Sequence, residues 1–75
     1  MPELRVLSGR EVCGILAEHG FQEIRQRGSY IVMQRNEAGG TTTVIVPDHR
    51  ELRRGTLRSI IRQSGLARGY FEIQP

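Results

Sequence analysis

The side chains best suited to chemistry in this sequence cluster at a turn between two short apolar stretches. Gly28 and Ser29 are typical turn residues, because glycine adopts positive φ without steric cost and serine bonds to nearby backbone. Tyr30 follows at once and opens a run of strand-forming residues, while Arg25 and Arg27 precede the turn. Guanidinium groups bind phosphate and stack on bases, so we expect the chemistry of this chain at this turn.

A second group of arginines lies toward the C-terminus. All eleven strongly basic residues are arginine, and residues 50–62 contain five arginines and one glutamate, an excess of +4 in a chain of net charge +3. Arg54, Arg58 and Arg62 are four residues apart, which aligns them on one face of a helix. An ordinary solvated face, with a coding bias toward arginine, is the alternative to a phosphate-binding face. The residues predicted to bind nucleic acid are Arg25, Arg27, Gly28, Ser29, Arg50, Arg53, Arg54, Arg58 and Arg62.

The histidines and the cysteine give weaker evidence for a catalytic or binding role than the arginines do. His49 follows a predicted strand and suits either a phosphate contact, a proton transfer or a plain surface position. His19 ends a predicted helix, where a cation favours the helix dipole, so a structural role is expected. Cys13 lies next to a buried stripe, which argues against a thiol nucleophile. Two histidines and one cysteine at wide spacing do not form a zinc site, so neither a metal nor another cofactor is predicted.

The length of 75 residues predicts one domain, spanning residues 1–75, with a small core and no deep pocket. A lone cysteine allows no internal disulfide. The first fifteen residues lack the apolar run of a signal peptide, and no stretch is long enough to span a membrane. The sequence therefore predicts a cytoplasmic protein without a membrane partner.

Two helices are predicted from local signals. The first spans residues 8–19, because Ser8 and Glu11 have the spacing of a capping box and Gly20 supplies a left-handed stop. The second spans residues 55–64 and is followed by a glycine stop. In the tail beyond it, the apolar residues either cover the core or form a stub that binds a partner; they are Tyr70, Phe71 and Ile73.

Three strands are predicted between the helices, over residues 21–27, 30–35 and 41–46. In the first strand, alternation predicts that Ile24 faces the core and that the charged residues, Glu23 among them, face the other side. Residues 36–40 are expected to form the loop between the second and third strands.

The element order is thus α-β-β-β-α, which predicts an α+β fold: an antiparallel three-stranded sheet with both helices on one face. The opposite face, with Tyr30, Val32, Gln34 and Ile45, is predicted to lack cover, which suggests a binding partner. Double-stranded-RNA-binding domains share this order and use the start of their last helix against phosphates.

Several short blocks of sequence, in one order, carry a more specific resemblance. The chain resembles the HicA (YcfA-like) family of toxins, the RNA-cleaving members of type II toxin–antitoxin pairs. The resemblance implies a double-stranded-RNA-binding-domain-like fold, metal-independent cleavage of mRNA, and inhibition by a HicB-like antitoxin protein that covers the active face. The matching blocks are LSGREV (7–12), EHGF (18–21), RQRGS (25–29), VIVPDH (44–49), ELRRGTLRSI (51–60) and QSGL (63–66).

The family motif has a catalytic histidine directly after the Gly-Ser turn, where this sequence has Tyr30. Cleavage of RNA through its own 2′-OH requires a base that works near neutral pH, as imidazole does. A phenol, with a usual pKa of about 10, is a poor base at pH 7 but can protonate a leaving oxygen or stack on an unpaired base. The candidate catalytic residues are therefore Tyr30 and, as an alternative base, His49.

Three functions stay open on the sequence alone. The first is a working RNA-cleaving toxin. The second is a catalytically silent relative that binds RNA and its antitoxin, and the third is a protein-interaction module with no role in RNA binding.

Overall fold

The computed structural model describes residues 2–74 and confirms the α-β-β-β-α order. A short 3₁₀ helix, Arg68–Phe71, follows the second α-helix. The elements are α1 (Gly9–Glu18), β1 (Gln22–Arg27), β2 (Tyr30–Glu37), β3 (Gly40–Pro47) and α2 (Arg54–Ser64).

The ends of α1 follow the local signals in the sequence. The Ser8 hydroxyl accepts the Glu11 N–H at 3.0 Å, and the Glu11 carboxylate accepts the Ser8 N–H at 2.8 Å, which completes the capping box. The hydrogen bond from the Ser8 backbone N–H, with a smaller contribution from the Ser8 hydroxyl, holds the pKa of the Glu11 carboxyl below its usual range. At the other end, Gly20 adopts a φ of +94°, and the Phe21 N–H donates to the Leu16 carbonyl at 3.1 Å.

The three strands form one antiparallel sheet in the order β1-β2-β3, and the helices cover one face of it. Ile31 and Met33 of β2 and Val44 and Val46 of β3 point toward the helices and are buried. They form one cluster with the apolar faces of α1 and α2. Full burial of such a side chain contributes roughly 1.5–3 kcal/mol, so this shared cluster holds both helices on the same face.

The prediction for Ile24 is wrong. Its side chain is 50% exposed, because the pairing of β1 with β2 shifts between Glu23 and Arg25. Such a β-bulge adds one residue to a strand and interrupts the alternation of its side chains. Glu23, predicted on the far side of the sheet, contacts Arg10 of α1 at 3.0 Å instead.

The predicted loop over residues 36–40 is also too long. β2 and β3 stay paired as far as Glu37 and Gly40, which leaves two residues, 38 and 39, as the connection. The Glu37 carboxylate accepts hydrogen bonds from the Thr42 hydroxyl and from the Arg35 guanidinium, and these bonds lower the pKa of Glu37. These side-chain contacts support the last rungs of the ladder, where the sequence shows only polar and glycine residues.

The second helix and the tail match the prediction in outline. α2 begins one residue earlier than predicted, at Arg54, and Gly65 ends it with a φ of +73°. Of the apolar tail residues, only Phe71 covers the core, whereas Tyr70 and Ile73 are about half exposed. Within residues 2–74, no helix is long and apolar enough to cross a membrane.

Candidate functional site

The Gly28–Ser29 turn is fixed to the end of β3. It is a two-residue connection closed by the pair of Arg27 and Tyr30, with Gly28 at a φ of +57°. The Ser29 carbonyl accepts the Asp48 N–H at 2.7 Å. The turn and the segment that follows β3 are therefore held together by backbone, independently of their side chains.

A polar network on the helix side strengthens this junction. The Asp48 carboxylate accepts Gln26 Nε2 at 3.0 Å and lies 3.7 Å from Arg10 Nε of α1. Arg10 also donates to Gln26 Oε1 at 2.6 Å and to Glu23 Oε1 at 3.0 Å. The network ties α1, β1 and the start of the β3–α2 loop into one unit. No local pattern in the sequence predicts this role for Arg10, Gln26 or Asp48, because their partners are distant along the chain.

The N-terminus of α1 packs directly against the segment that carries His49. The His49 carbonyl accepts the Gly9 N–H at 2.9 Å, and a Cβ placed on Gly9 would overlap the Pro47 carbonyl oxygen. Pro47 in turn pairs with Tyr30 across the sheet. The two candidate catalytic residues, Tyr30 and His49, therefore belong to adjoining segments at the same end of the sheet, and both are exposed.

Gly9→Ala is expected to destabilise the chain by about 1–3 kcal/mol, although alanine is the better helix former. The added methyl group must push the Pro47–His49 segment away from α1. The matched control is Gly14→Ala in the same helix, where a Cβ would meet nothing within 4 Å. That variant is expected to gain up to about 1 kcal/mol. Urea unfolding measures both changes, and an equal effect of the two substitutions would contradict the close packing of Gly9.

Tyr30 lies on the face of the sheet that the helices leave open. Its side chain is 53% exposed, and it borders a shallow depression of about 320 Å³. The other lining residues are Arg25, Arg27, Val32 and Ile45. The predicted uncovered face is thus confirmed, and it has arginines along one side.

The arginines of the candidate interface are all exposed. The ion pairs within residues 2–74 use Arg10, Arg35 and Arg68, so no candidate arginine has a carboxylate partner in this part of the chain. At the start of α2, the cap residue Arg53 makes no side-chain cap bond, and the first turn has no acidic residue. The partial positive charge of this helix end adds to that of the side chains.

The structure separates the candidate arginines into two surfaces. Arg54 and Arg58 line a pocket of about 200 Å³ together with Arg68 and residues 2–4, whereas Arg25 and Arg27 lie on the open face of the sheet. Neither depression contains an arginine of the other group. The loop between β3 and α2, residues 48–53, contains Arg50 and Arg53 and connects the two surfaces. Its first residue, Asp48, is hydrogen-bonded to Ser29 of the turn, and its last residue precedes α2.

The comparison with protein families gives a match over most of the chain. The model of a family described as the HicA toxin of bacterial toxin–antitoxin systems matches residues 9–66 of the 75. The chain belongs to the HicA toxin family. Its role is therefore that of a toxin, and membership implies an antitoxin partner. The comparison with curated proteins finds no match.

In this HicA-family chain, the other potentially reactive side chains, His19 and Cys13, are held in contacts that stabilise the fold. His19 Nδ1 lies 2.9 Å from the Ile15 carbonyl oxygen, and its ring packs against Tyr70 with a centroid distance of 4.1 Å. Burial raises the pKa of the Cys13 thiol to about 11, so the thiol stays protonated near neutral pH. Residues 2–74 contain no group of three or more His, Cys, Asp or Glu side chains placed to hold a metal ion.

Proposed function

We propose that this HicA-family toxin binds mRNA and cleaves it at the junction of the Gly28–Ser29 turn and the β3–α2 loop. The supporting observation is the backbone hydrogen bond between Ser29 and Asp48, which brings the segments of Tyr30 and His49 to the same end of the sheet. Arginines that have no carboxylate partner within residues 2–74 flank that end. Since the proposed substrate is mRNA, the proposed place of action is the cytoplasm.

The proposed reaction uses only groups of the RNA and of the protein. His49 removes the proton from a 2′-OH, whose oxygen attacks the adjacent phosphorus. The bond from phosphorus to the 5′ oxygen breaks, and Tyr30 donates its phenolic proton to that leaving oxygen. The products are a 2′,3′-cyclic phosphate and a 5′-OH. The arginines next to the turn, Arg25 and Arg27, stabilise the charge that develops on the phosphate oxygens.

The proposed path of the RNA follows the basic residues from the open face to α2. Arg25 and Arg27 bind phosphates next to the turn, where the Gly28–Ser29 backbone allows close approach. Arg50 and Arg53 hold the strand along the loop, and the arginines of α2 bind the phosphates beyond it; these are Arg54, Arg58 and Arg62. Their exposure and their lack of ion pairs within residues 2–74 support this path, because a free guanidinium has no competing carboxylate to release.

A second candidate function is RNA binding without cleavage. Tyr30 stands where the family motif has a histidine, and its ring lies on the open face with no hydrogen bond to an imidazole among the described residues. A chain of this kind retains the arginine surfaces and the antitoxin partner but lacks an effective base. It then acts by sequestering RNA.

Incubation of the purified chain with a defined mRNA fragment, in the presence of a chelator, tests both functions. Cleavage is expected to proceed with the chelator, to leave 2′,3′-cyclic phosphate ends, and to fall in His49→Gln. Bound but intact RNA would support the silent relative. Cleavage that stops on chelation would contradict the proposed chemistry, and failure to bind RNA at low salt would contradict both candidates.

A further inference from the structure

The open face of the sheet carries an apolar floor that the helices do not use. Val32 pairs with Arg25 on one side and with Ile45 on the other, so these three side chains lie side by side across the three strands. Tyr30 borders them, next to Arg27, and the group encloses the depression of about 320 Å³. Half of the Ile45 and Tyr30 surfaces stays exposed.

The charges around this floor all have one sign. Arg25 and Arg27 lie on the open face, and neither forms an ion pair within residues 2–74. The carboxylates of the strands lie elsewhere: Glu23 bonds to Arg10 on the helix side, and Glu37 follows the alternation that turns Ile31 inward. The bulge at Ile24 produces this separation of charge, because it shifts the strand by one residue between Glu23 and Arg25.

The open face combines an aromatic ring, an apolar floor and two arginines that have no paired carboxylate among residues 2–74. This combination matches a ligand that is flat and apolar in its middle and negatively charged at its ends. An unpaired nucleobase between two phosphates has this form. A duplex does not present it, because the faces of its bases are already stacked inside the helix. A neutral apolar peptide would leave the two guanidinium groups without a partner.

We propose that the open face is a subsite for one unpaired RNA base, which stacks on Tyr30 above Val32 and Ile45. Its flanking phosphates bind Arg25 and Arg27. This subsite rests on the proposed binding of RNA but not on cleavage, and it makes single-stranded RNA the preferred ligand class. In this arrangement, Tyr30 favours single-stranded RNA over a duplex, because its ring stacks on an unpaired base. This role is separate from its proposed donation of a proton during cleavage.

The two tyrosines of the chain make this stacking directly observable. The sequence contains Tyr30, Tyr70 and no tryptophan. Tyr70→Phe therefore leaves Tyr30 as the main emitter, and Tyr30→Phe leaves Tyr70, which packs against His19 away from the open face. The probe is a short 2′-O-methyl oligoadenylate, which lacks the 2′-OH needed for cleavage. At saturation, the Tyr30 emission measured in Tyr70→Phe is expected to be quenched. The Tyr70 emission measured in Tyr30→Phe is expected to fall only as far as the probe absorbs the light.

Affinity provides a second measurement, by the anisotropy of a dye on the probe. Tyr30→Ala is expected to weaken binding by roughly tenfold to a hundredfold, the range of one base–aromatic stack. Tyr70→Ala is the matched control, since Tyr70 is 50% exposed and lies outside the subsite. An abasic oligomer of the same length and charge is expected to bind the native chain and Tyr30→Ala equally. Circular dichroism verifies that each variant is folded.

The outcomes distinguish the subsite from the proposed function. If the probe binds while Tyr30 emission stays unchanged, or if the abasic oligomer binds the native chain as tightly, the subsite is wrong and general RNA binding stands. If no oligomer binds at low salt, both proposals are wrong. Quenching of Tyr30 by the purified antitoxin, without any response to the oligoadenylate, would assign the face to a protein and overturn the subsite.

Discussion

Tyr30→His is expected to raise the rate of RNA cleavage by roughly 10²- to 10⁴-fold if the native chain is the silent relative, because it supplies the missing general base. If Tyr30 is the working acid, the same substitution is expected to bring no such gain. The substitution places an imidazole directly after the Gly28–Ser29 turn, where the HicA motif has its histidine. The surroundings are already present, since the Ser29–Asp48 bond fixes the turn and Arg25 and Arg27 lie beside it. Release of labelled fragments from a defined RNA, with chelator present, measures the gain.

Two variants control this experiment. Tyr70→His adds the same imidazole at a tyrosine of similar exposure, and it is expected to leave the cleavage rate unchanged. Tyr70 packs against His19, after the end of α1, whereas the start of α1 contacts the segment next to the turn. Tyr30→Phe keeps the ring and removes the hydroxyl, so it is expected to lose the activity that depends on the phenolic proton. The activity gained by Tyr30→His should increase as the pH rises through about 6–7, where imidazole loses its proton. Equal activity of Tyr30→His and Tyr70→His would contradict a catalytic site at the turn.

Reversing two charges on α2, by Arg54→Glu with Arg58→Glu, is expected to weaken RNA binding at low salt by roughly tenfold to a hundredfold. These side chains are exposed, have no carboxylate partners within residues 2–74, and lie near the unneutralised N-terminal end of the helix. The dependence of log K on log salt should also become less steep, by about 0.7 for each phosphate of a single strand that the variant no longer binds.

A milder pair of variants separates the local effect of these arginines from that of net charge. Arg54→Gln with Arg58→Gln lowers the net charge by two, as does Ala17→Glu with Ala38→Glu at exposed positions outside both arginine surfaces. Only the arginine pair is expected to reduce the salt dependence strongly. If the two double variants bind RNA equally, α2 contributes through overall charge alone, and the proposed path of the RNA along this helix is wrong.

The local features of the fold could be predicted because they depend on neighbouring residues. The capping box of Ser8 and Glu11 and the glycine stops at Gly20 and Gly65 each need only a few adjacent side chains. The inward positions of β2 and β3 follow from simple alternation. The turn at Gly28 follows from the freedom of glycine at positive φ.

Other features of the fold depend on contacts between residues that are distant along the chain. Nothing adjacent to Ile24 in the sequence signals a bulge, which appears only in the pairing of β1 with β2. The need for glycine at position 9 arises from Pro47, far away along the chain, and the ion pair of Arg10 with Asp48 likewise joins distant segments. Alternation rules contain no information about such contacts.

The sequence by itself determined the element order, the membership in a toxin family and the two clusters of arginine, because each depends on residue types at short spacing. Tertiary structure decided how these clusters are arranged. The packing of α2 on the sheet places Arg54 and Arg58 beside residues 2–4. The bulge at Ile24 moves Glu23 to the helix side, so Arg25 and Arg27 share the open face with Tyr30 but not with that carboxylate. The directions in which these side chains point depend on burial of a shared core, and burial is a property of the whole folded chain.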